Sequence, residues 1–386
     1  MSDSADPNLS ARDALDRAML DRAARAALRA AGDVEPNPLV GCVIADSSGR
    51  LVGIGHHRRF GGPHAEIEAL ADAARRGRDV RGATVWVTLE PCRGVGKTGP
   101  CADALLRAGV REVVFAAHDP APKGRGGADA LREGGVLARL SLASPLATSI
   151  SAAHRKRAER SGPWVIAKWA QTPSGSFVAD HGRWISGPAS LRRVHRLRAR
   201  VDAVVVGVGT VLADDPLLTA RGAARVRRLA RRVVLDSMLR TPLHSALVRT
   251  AHEAPLTIVT LAGAPSDRAA ALRAAGAELL TTPPDAQGRV DAAGALALLA
   301  ERHGAAVILL ECGPTLLSEC LRRGLLDEAW AFVGGAADAP ADLRSVADEH
   351  GYERALRRRS GPDALLIYRP PAPTPSGVSS AGHSPR

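Results

Sequence analysis

His64-Ala65-Glu66, followed by Pro91-Cys92 and then Cys101, brings together the residue types of a catalytic zinc site. One imidazole and two thiolates give three ligands and leave the fourth tetrahedral position open, which marks a catalytic rather than a structural zinc. Glu66 lies two residues after the His and is free to move protons. The pattern H-x-E then P-C-x-x-C is the zinc-deaminase signature, with a zinc-bound hydroxide as nucleophile and the Glu as acid and base. Here the second gap runs from Arg93 to Pro100, eight residues instead of two. Two thiolates and a neutral His leave the Zn²⁺ site formally neutral, yet the metal can still depress the pKa of bound water to about 7. A structural site would need a fourth ligand; Cys42 is available but stands mid-strand in Val40-Gly41-Cys42-Val43. Gly96-Lys97-Thr98 does not complete a Walker loop, because Pro91 occupies the position where the motif needs Gly. Lys97, in a loop between two ligands, is read instead as facing the substrate.

These residues need elements to hold them. Ser10-Ala11-Arg12-Asp13 reads as a capping box that opens a helix to about residue 31, with Leu15, Met19 and Leu28 on its apolar face and Gly32 as its stop. Residues 40–45 and 51–54 read as a hairpin around Asp46-Ser47-Ser48-Gly49. A helix over 64–74 puts His64 and Glu66 in its first turn, and a strand over 84–89 delivers Glu90-Pro91-Cys92 at its end. A helix over 101–108 and a strand over 113–117 follow. Strand, helix, strand in this order argues for an α/β layer with ligands at element ends. Two helix N-termini can then converge on one point, where their dipoles favour thiolate.

A chain of 386 residues exceeds one ordinary core and predicts two domains. The small and charged stretch 143–162, ending in Ser161-Gly162-Pro163, is the expected boundary. A second α/β unit then begins with a strand over 164–168, a helix from Pro188 to about residue 200, and strands over 203–208, 232–236, 256–260 and 305–311. With only 3% aromatic residues, the cores must be built from Ala, Leu and Val. The net charge of +12 comes mostly from Arg and reads as solvated faces that also suit a phosphorylated substrate. Five cysteines, an odd count with two in the zinc motif, point to a reducing compartment and metal use rather than disulfides. The polar N-terminus and the lack of a long apolar run give no signal peptide or membrane span, so a cytoplasmic location is expected. The tail over 371–386 is rich in Pro, Ser and Gly and is expected to be disordered.

Pro36-Asn37-Pro38-Leu39-Val40-Gly41-Cys42-Val43, Gly62-Pro63-His64-Ala65-Glu66 and Thr88-Leu89-Glu90-Pro91-Cys92, with the long gap to Cys101, resemble the bifunctional riboflavin-biosynthesis deaminase–reductase family. Thr210-Val211-Leu212-Ala213-Asp214-Asp215-Pro216-Leu217-Leu218-Thr219 and Glu311-Cys312-Gly313-Pro314-Thr315-Leu316 resemble its reductase blocks. The resemblance implies an α/β chain with a cytidine-deaminase-like three-layer domain over 8–150 and a dihydrofolate-reductase-like domain over 160–370. It implies zinc-dependent deamination of a phosphoribosylamino-pyrimidine, with Glu66 catalytic, then NADPH-dependent reduction of the ribosyl group to ribityl. It places Asn37, Lys97 and Thr98 in the deaminase pocket. Lys168 and Asp214 fall on catalytic positions of the reductase, and Arg198, Leu218, Arg221 and Glu311 on substrate positions. Ala170, Trp184, Thr210, Asp214, Ser237 and the turn Gly313, Pro314, Thr315 and Leu316 fall on NADPH positions. It further implies a phosphorylated pyrimidine as the small-molecule partner, a homo-oligomer formed through the reductase domain, and no nucleic-acid or membrane partner.

The reductase residues also have a physical reading. Arg198 and Arg221 suit a phosphate, for which guanidinium forks are well shaped. Gly313-Pro314-Thr315 lies between a strand and a helix, so its N–H groups suit a cofactor phosphate. The chain departs from the family pattern at Gly94, where a loop His is usual, and at Ala121, where a pocket Asn is usual. Ser174 replaces an Asp, Gly182 replaces a Ser, and Phe332-Val333-Gly334-Gly335 replaces the usual segment after Glu328. A deaminase with a degenerate reductase-like domain used for binding or dimerisation is the competing reading, separated by activity with NADPH. A nucleic-acid deaminase is a third, disfavoured by the long gap between the cysteines.

Overall fold

The computed structural model describes residues 11–94, 99–159, 162–179, 184–222, 226, 228–340 and 342–371. Of the expected features, the capping Ser10, the pocket residues Lys97 and Thr98, Gly182 and the tail beyond residue 371 lie outside the described residues. The chain separates into two compact units, residues 1–164 with 194–309, and residues 165–193 with 310–386. In chain order the strands are β1 (Gly41–Ala45), β2 (Leu51–His56), β3 (Thr84–Val87), β4 (Glu112–Phe115), β5 (Leu137–Leu140), β6 (Trp164–Gln171), β7 (Ala203–Gly207), β8 (Arg231–Leu235), β9 (Leu256–Thr260), β10 (Glu278–Thr281), β11 (Val307–Leu310), β12 (Glu328–Val333), β13 (Glu353–Ser360) and β14 (Asp363–Arg369).

In the first unit, β1 to β5 form a sheet in the order β2-β1-β3-β4-β5. The β1–β2 hairpin is antiparallel, with its turn at the expected Asp46 to Gly49, where the Asp46 carboxylate accepts from the N–H of Ser48. β3, β4 and β5 are parallel to one another, so successive connections between them are helical crossovers. Val85, Val87, Val113 and Phe115 pack on one face with Ala65, Ala69, Ala102 and Leu105 from the covering helices Ala65–Arg75 and Cys101–Arg107. The helix Ala65–Arg75 sits very close to β2. A Cβ on Gly53 would stand 2.4 Å from the carbonyl oxygen of Ala69, and one on Gly55 would stand 2.4 Å from that of Ala65. Glycine is therefore required at both positions if the first turn of this helix, with Glu66, is to reach its place.

The helix Ala11–Ala27 covers the other face of the sheet, and its buried side matches the expected one only at Met19, which packs on the cluster of Leu20 and Trp86. Leu20, Ala23, Ala24 and Ala27 are buried, whereas Leu15 and Leu28 are exposed. Small side chains won because Trp86 occupies that face of the sheet and packs on Leu20 and Ala24. The buried Asp16 accepts the Trp86 indole N–H at 2.9 Å and the Arg139 guanidinium at 2.5 and 3.0 Å. The stretch expected as a boundary, 143–162, is helical over part of its length. Helices Pro145–Ile150 and Ala152–Ala158 occupy it, and Ala147, Leu146 and Ile150 pack onto the Leu20 and Trp86 cluster. The same unit carries strands in the order β10-β9-β8-β7-β11, with β7 to β10 all parallel.

In the second unit the strand order is β6-β12-β14-β13. β6 and β12 are parallel, while β12, β14 and β13 run antiparallel to their neighbours. Helix Pro314–Arg322 follows β11 and buries Leu317, Cys320 and Leu321. Among the described residues no helix is long and apolar enough to cross a membrane.

Candidate active site

Three elements of the first unit deliver the deaminase-type side chains. His64 is the N-cap residue of helix Ala65–Arg75, and Glu66 lies in that helix's first turn. Cys92 follows β3 at the end of Thr88-Leu89-Glu90-Pro91, and Cys101 opens helix Cys101–Arg107. Glu90 fixes the segment before Cys92. Its carboxylate accepts the N–H groups of Gly126 and Ala128 at 3.1 and 3.0 Å and the ring N–H of His118 at 2.9 Å.

The three ligand atoms meet. His64 Nδ1 is 3.5 Å from Cys92 Sγ and 3.3 Å from Cys101 Sγ, and all three atoms lie within 4.8 Å of one another. A tetrahedron with Zn–N of ~2.0 Å and Zn–S of ~2.3 Å has an N···S edge of about 3.5 Å, so this donor set fits zinc in both size and softness. Hydrogen bonds from Cys101 and His64 draw the Cys92 thiol down to about 4, whereas the bond to Cys92 and burial push Cys101 well above the ordinary thiol range. A cation among them favours both as thiolates. Burial pushes the Glu66 carboxyl up to about 7, and Glu66 is 3% exposed.

A cavity of about 400 Å³ opens onto these groups and is lined by Asn37, His57, Phe60, His64, Glu66 and Lys123 among others. Asn37 donates from Nδ2 to His57 Nε2 at 3.1 Å, and His57 Nδ1–H donates to the Pro63 carbonyl at 2.8 Å. Both bonds require a neutral His57, and burial holds its pKa below the usual imidazole value. With one amide N–H engaged by His57, Asn37 keeps a carbonyl oxygen and a second N–H for other partners. Also on the cavity lining, His154 Nε2–H donates to Asp119 at 3.1 Å. His57, Lys123 and His154 were not singled out by the sequence. Only the position of His57 at the exit of β2, seven residues before His64, gave a usable signal.

The departures at Gly94 and Ala121 both line this cavity. Gly94 N–H donates to the Lys123 carbonyl at 3.0 Å, and a Cβ at residue 94 would stand 2.5 Å from that oxygen. The loop has therefore closed onto Lys123 where a larger residue is usual.

The reductase-type residues divide between the units. In the first, Thr210 and Asp214 lie on helix Val208–Asp214, which follows β7 directly, and Ser237 follows β8. Thr210 and Ser237 thus stand beyond the carboxyl ends of parallel strands, the usual position of ligand sites in such sheets. Asp214 is the last residue of its helix and is exposed. Leu218 is buried with φ +54°, Arg198 donates to the Thr219 carbonyl at 3.2 Å, and Arg221 N–H donates to His195 at 3.1 Å. In the second unit, Lys168 and Ala170 lie within β6, which runs on to Gln171 rather than ending at Lys168. Lys168 Nζ is 3.8 Å from the Glu311 carboxylate. Gly313 is the N-cap of helix Pro314–Arg322, and Pro314, Thr315 and Leu316 form its first turn. Trp184 is 61% exposed.

Fold and site together define a zinc deaminase domain joined to a reductase domain. Residues 14–117 match the cytidine and deoxycytidylate deaminase zinc-binding region, and residues 163–336 match the RibD C-terminal domain. The riboflavin biosynthesis protein RibD of Aquifex aeolicus is 31% identical over 92% of this chain and 98% of its own length. RibD of Escherichia coli is 32% identical over 91% and 98%. The structure of Acinetobacter baumannii RibD superposes with a TM-score of 0.69 at 30% identity, covering 94% of this chain and 100% of that one. A Thermotoga maritima diaminohydroxyphosphoribosylaminopyrimidine deaminase/5-amino-6-(5-phosphoribosylamino)uracil reductase superposes with a TM-score of 0.73 at 28% identity, covering 93% and 99%. The chain belongs to the RibD family of riboflavin biosynthesis proteins. It is a bifunctional enzyme with a zinc-binding deaminase domain and a reductase domain related to NADPH-dependent reductases. The reading of a degenerate C-terminal domain is set aside, because the match over 163–336 and the near full-length relatives retain the reductase half.

Proposed function

We propose that the enzyme removes an amine from a diaminohydroxy-phosphoribosylamino-pyrimidine and then reduces the resulting 5-amino-6-(5-phosphoribosylamino)uracil at its ribosyl group. The observation that carries the first step is the His64, Cys92 and Cys101 cluster beside the buried Glu66 at one cavity wall. These three residues would hold zinc, which supplies a Lewis acid that makes water nucleophilic at neutral pH. Glu66 accepts the proton of the attacking water and passes it to the ring nitrogen next to the attacked carbon, then takes the proton of the newly added hydroxyl and delivers it to the departing amine. Asn37 binds the pyrimidine edge with the amide atoms not engaged by His57, and by the likeness Lys97 and Thr98 are assigned to the substrate.

For the second step NADPH supplies the hydride. By the likeness, Lys168 and Asp214 are the catalytic residues, and Arg198, Leu218, Arg221 and Glu311 bind substrate. Ala170, Trp184, Thr210, Ser237 and the turn Gly313 to Leu316 are assigned to the cofactor on the same ground. Residues 8–150 and 160–370 are the corresponding domains, the location is cytoplasmic, and copies associate through the reductase domain. The test is purified protein with the deaminase substrate, with and without NADPH, followed by mass. Without NADPH, exchange of one NH for one O, a gain of about 1 Da, is expected, and a further gain of two hydrogens only with NADPH. No mass change in either arm overturns the reading.

A further inference from the structure

The loop that carries Asn37 is held from a distant part of the chain. Arg228, 193 positions after Glu35, donates from Nη2 to the Glu35 carbonyl at 2.7 Å and from Nε to the Gly32 carbonyl at 3.3 Å. Its remaining nitrogen, Nη1, is ion-paired with Asp202 Oδ1. Asp202 in turn is anchored through Oδ2, which accepts the N–H groups of Ala306 and Val307 at 2.9 and 2.8 Å. All these residues lie in the same compact unit. Arg228 and Asp202 nevertheless belong to the stretch that matches the reductase family model, whereas Gly32, Glu35 and Asn37 belong to the deaminase stretch.

The held loop is closed by its own hydrogen bonds and leads to the pocket. Gly32 N–H donates to the Glu35 carboxylate at 3.1 and 2.9 Å, and Asn37 N–H donates to the Val34 carbonyl at 2.9 Å. Phe60, on the cavity lining, donates its N–H to the Asp33 carbonyl at 2.9 Å. From Asn37 the contacts continue through His57 to the Pro63 carbonyl, next to His64. A planar guanidinium with several fixed donors is suited to bridge two carbonyls and a carboxylate at once; an ammonium on a flexible stem is not.

We infer that Arg228 is a positioning residue for deamination: it fixes the 32–37 loop and, through it, the Asn37 side chain that meets the substrate. The inference rests on the reading of this cavity as the deaminase site. Arg228 is not among the residues that line the cavity, and its hydrogen bonds go to Gly32, Glu35 and Asp202, so it acts through the loop.

The test uses the full-length, zinc-loaded chain and a double-mutant cycle, in which coupled residues give non-additive effects. Arg228→Ala should lower kcat/KM for deamination roughly 10- to 100-fold, the scale expected when a binding group is displaced by about an ångström. In an Asn37→Ala background the same substitution should change it by less than about threefold, because the group it positions is already gone. Arg228→Lys, which keeps the charge beside Asp202, should show a smaller loss in the same direction, and it serves as the reporter should Arg228→Ala fail to fold. Equal losses with and without Asn37, or no loss in either variant, overturn the inference while leaving the deaminase reading intact. Absence of deamination in the unaltered chain overturns that reading, and this inference with it.

Discussion

Gly94 donates its backbone N–H to the carbonyl of Lys123 at 3.0 Å, and no side chain fits between them, since a Cβ at residue 94 would stand 2.5 Å from that oxygen. Restoring the family's loop His is therefore expected to harm rather than help this chain. Gly94→His and Gly94→Ala should both force the loop away from Lys123, at a cost of about 1–3 kcal/mol for overpacking. A lower Tm and a raised KM for deamination are the expected readings. Improved kcat/KM in Gly94→His would show that the contact is dispensable.

Metal analysis should find about one zinc per chain. Cys92→Ser and Cys101→Ser should each lose metal and deamination together, because each removes one of only three ligands. Full zinc occupancy in a His64→Ala, Cys92→Ser double variant would exclude this ligand set.

Glu66→Gln should separate chemistry from structure. The carboxyl is buried and its charged form is disfavoured there, so a neutral isostere should keep the fold and the zinc, and Tm should not fall. Deamination should slow by at least roughly 10²- to 10⁴-fold, the usual contribution of a general acid–base group. Near-normal turnover would remove Glu66 from the mechanism.

Asp16 and Glu112 share Arg139. Burial raises the Asp16 carboxyl, but the hydrogen bonds from Arg139 and Trp86 outweigh it and the group titrates below its ordinary 3.8; Glu112 likewise lies below 4.5. Both folded-state values are depressed, so the stabilisation is present above the unfolded values and is lost as pH falls through the folded ones. Stability should decline steeply below about pH 4, and Asp16→Asn should flatten that dependence. Arg139→Ala strands a buried carboxylate and should cost roughly 2–3 kcal/mol at pH 7, somewhat below a fully buried pair because Arg139 is part-exposed. An unchanged acid-unfolding curve in Asp16→Asn would refute this account.

In the reductase half, Asp214→Asn should impair NADPH oxidation while deamination of the first substrate continues, because the zinc cluster and Glu66 are untouched. Lys168→Ala should do the same and also remove the ion pair with Glu311. Parallel loss of both activities in either variant would contradict separate sites.

The zinc centre was legible because its parts are local. His64 and Glu66 share one helix start, and Cys92 and Cys101 are nine positions apart, so spacing alone placed the chemistry. Strands β1 to β4, β6 to β9 and β11 were legible from their apolar runs, to within a few residues, whereas β5, β10, β12, β13 and β14 were not read from the sequence. The buried face of helix Ala11–Ala27 was not, since its contacts are set by Trp86 and by alanines that carry no hydrophobic period of their own. His154 and Arg228 were not legible either. Each reaches its partner across long stretches of chain, and one Arg among many has no local mark of its role.

The seating of helix Ala65–Arg75 on Gly53 and Gly55 has a consequence for how this enzyme tolerates change. Main chain rests on main chain there, with no layer of flexible side chains to absorb an error. The usual ranking of mutational sensitivity should invert around this site. In a saturation scan, gaining one methyl group at Gly53 or Gly55 should be more damaging than trimming a neighbouring valine, because the first moves the Glu66 turn and the second only leaves a small void.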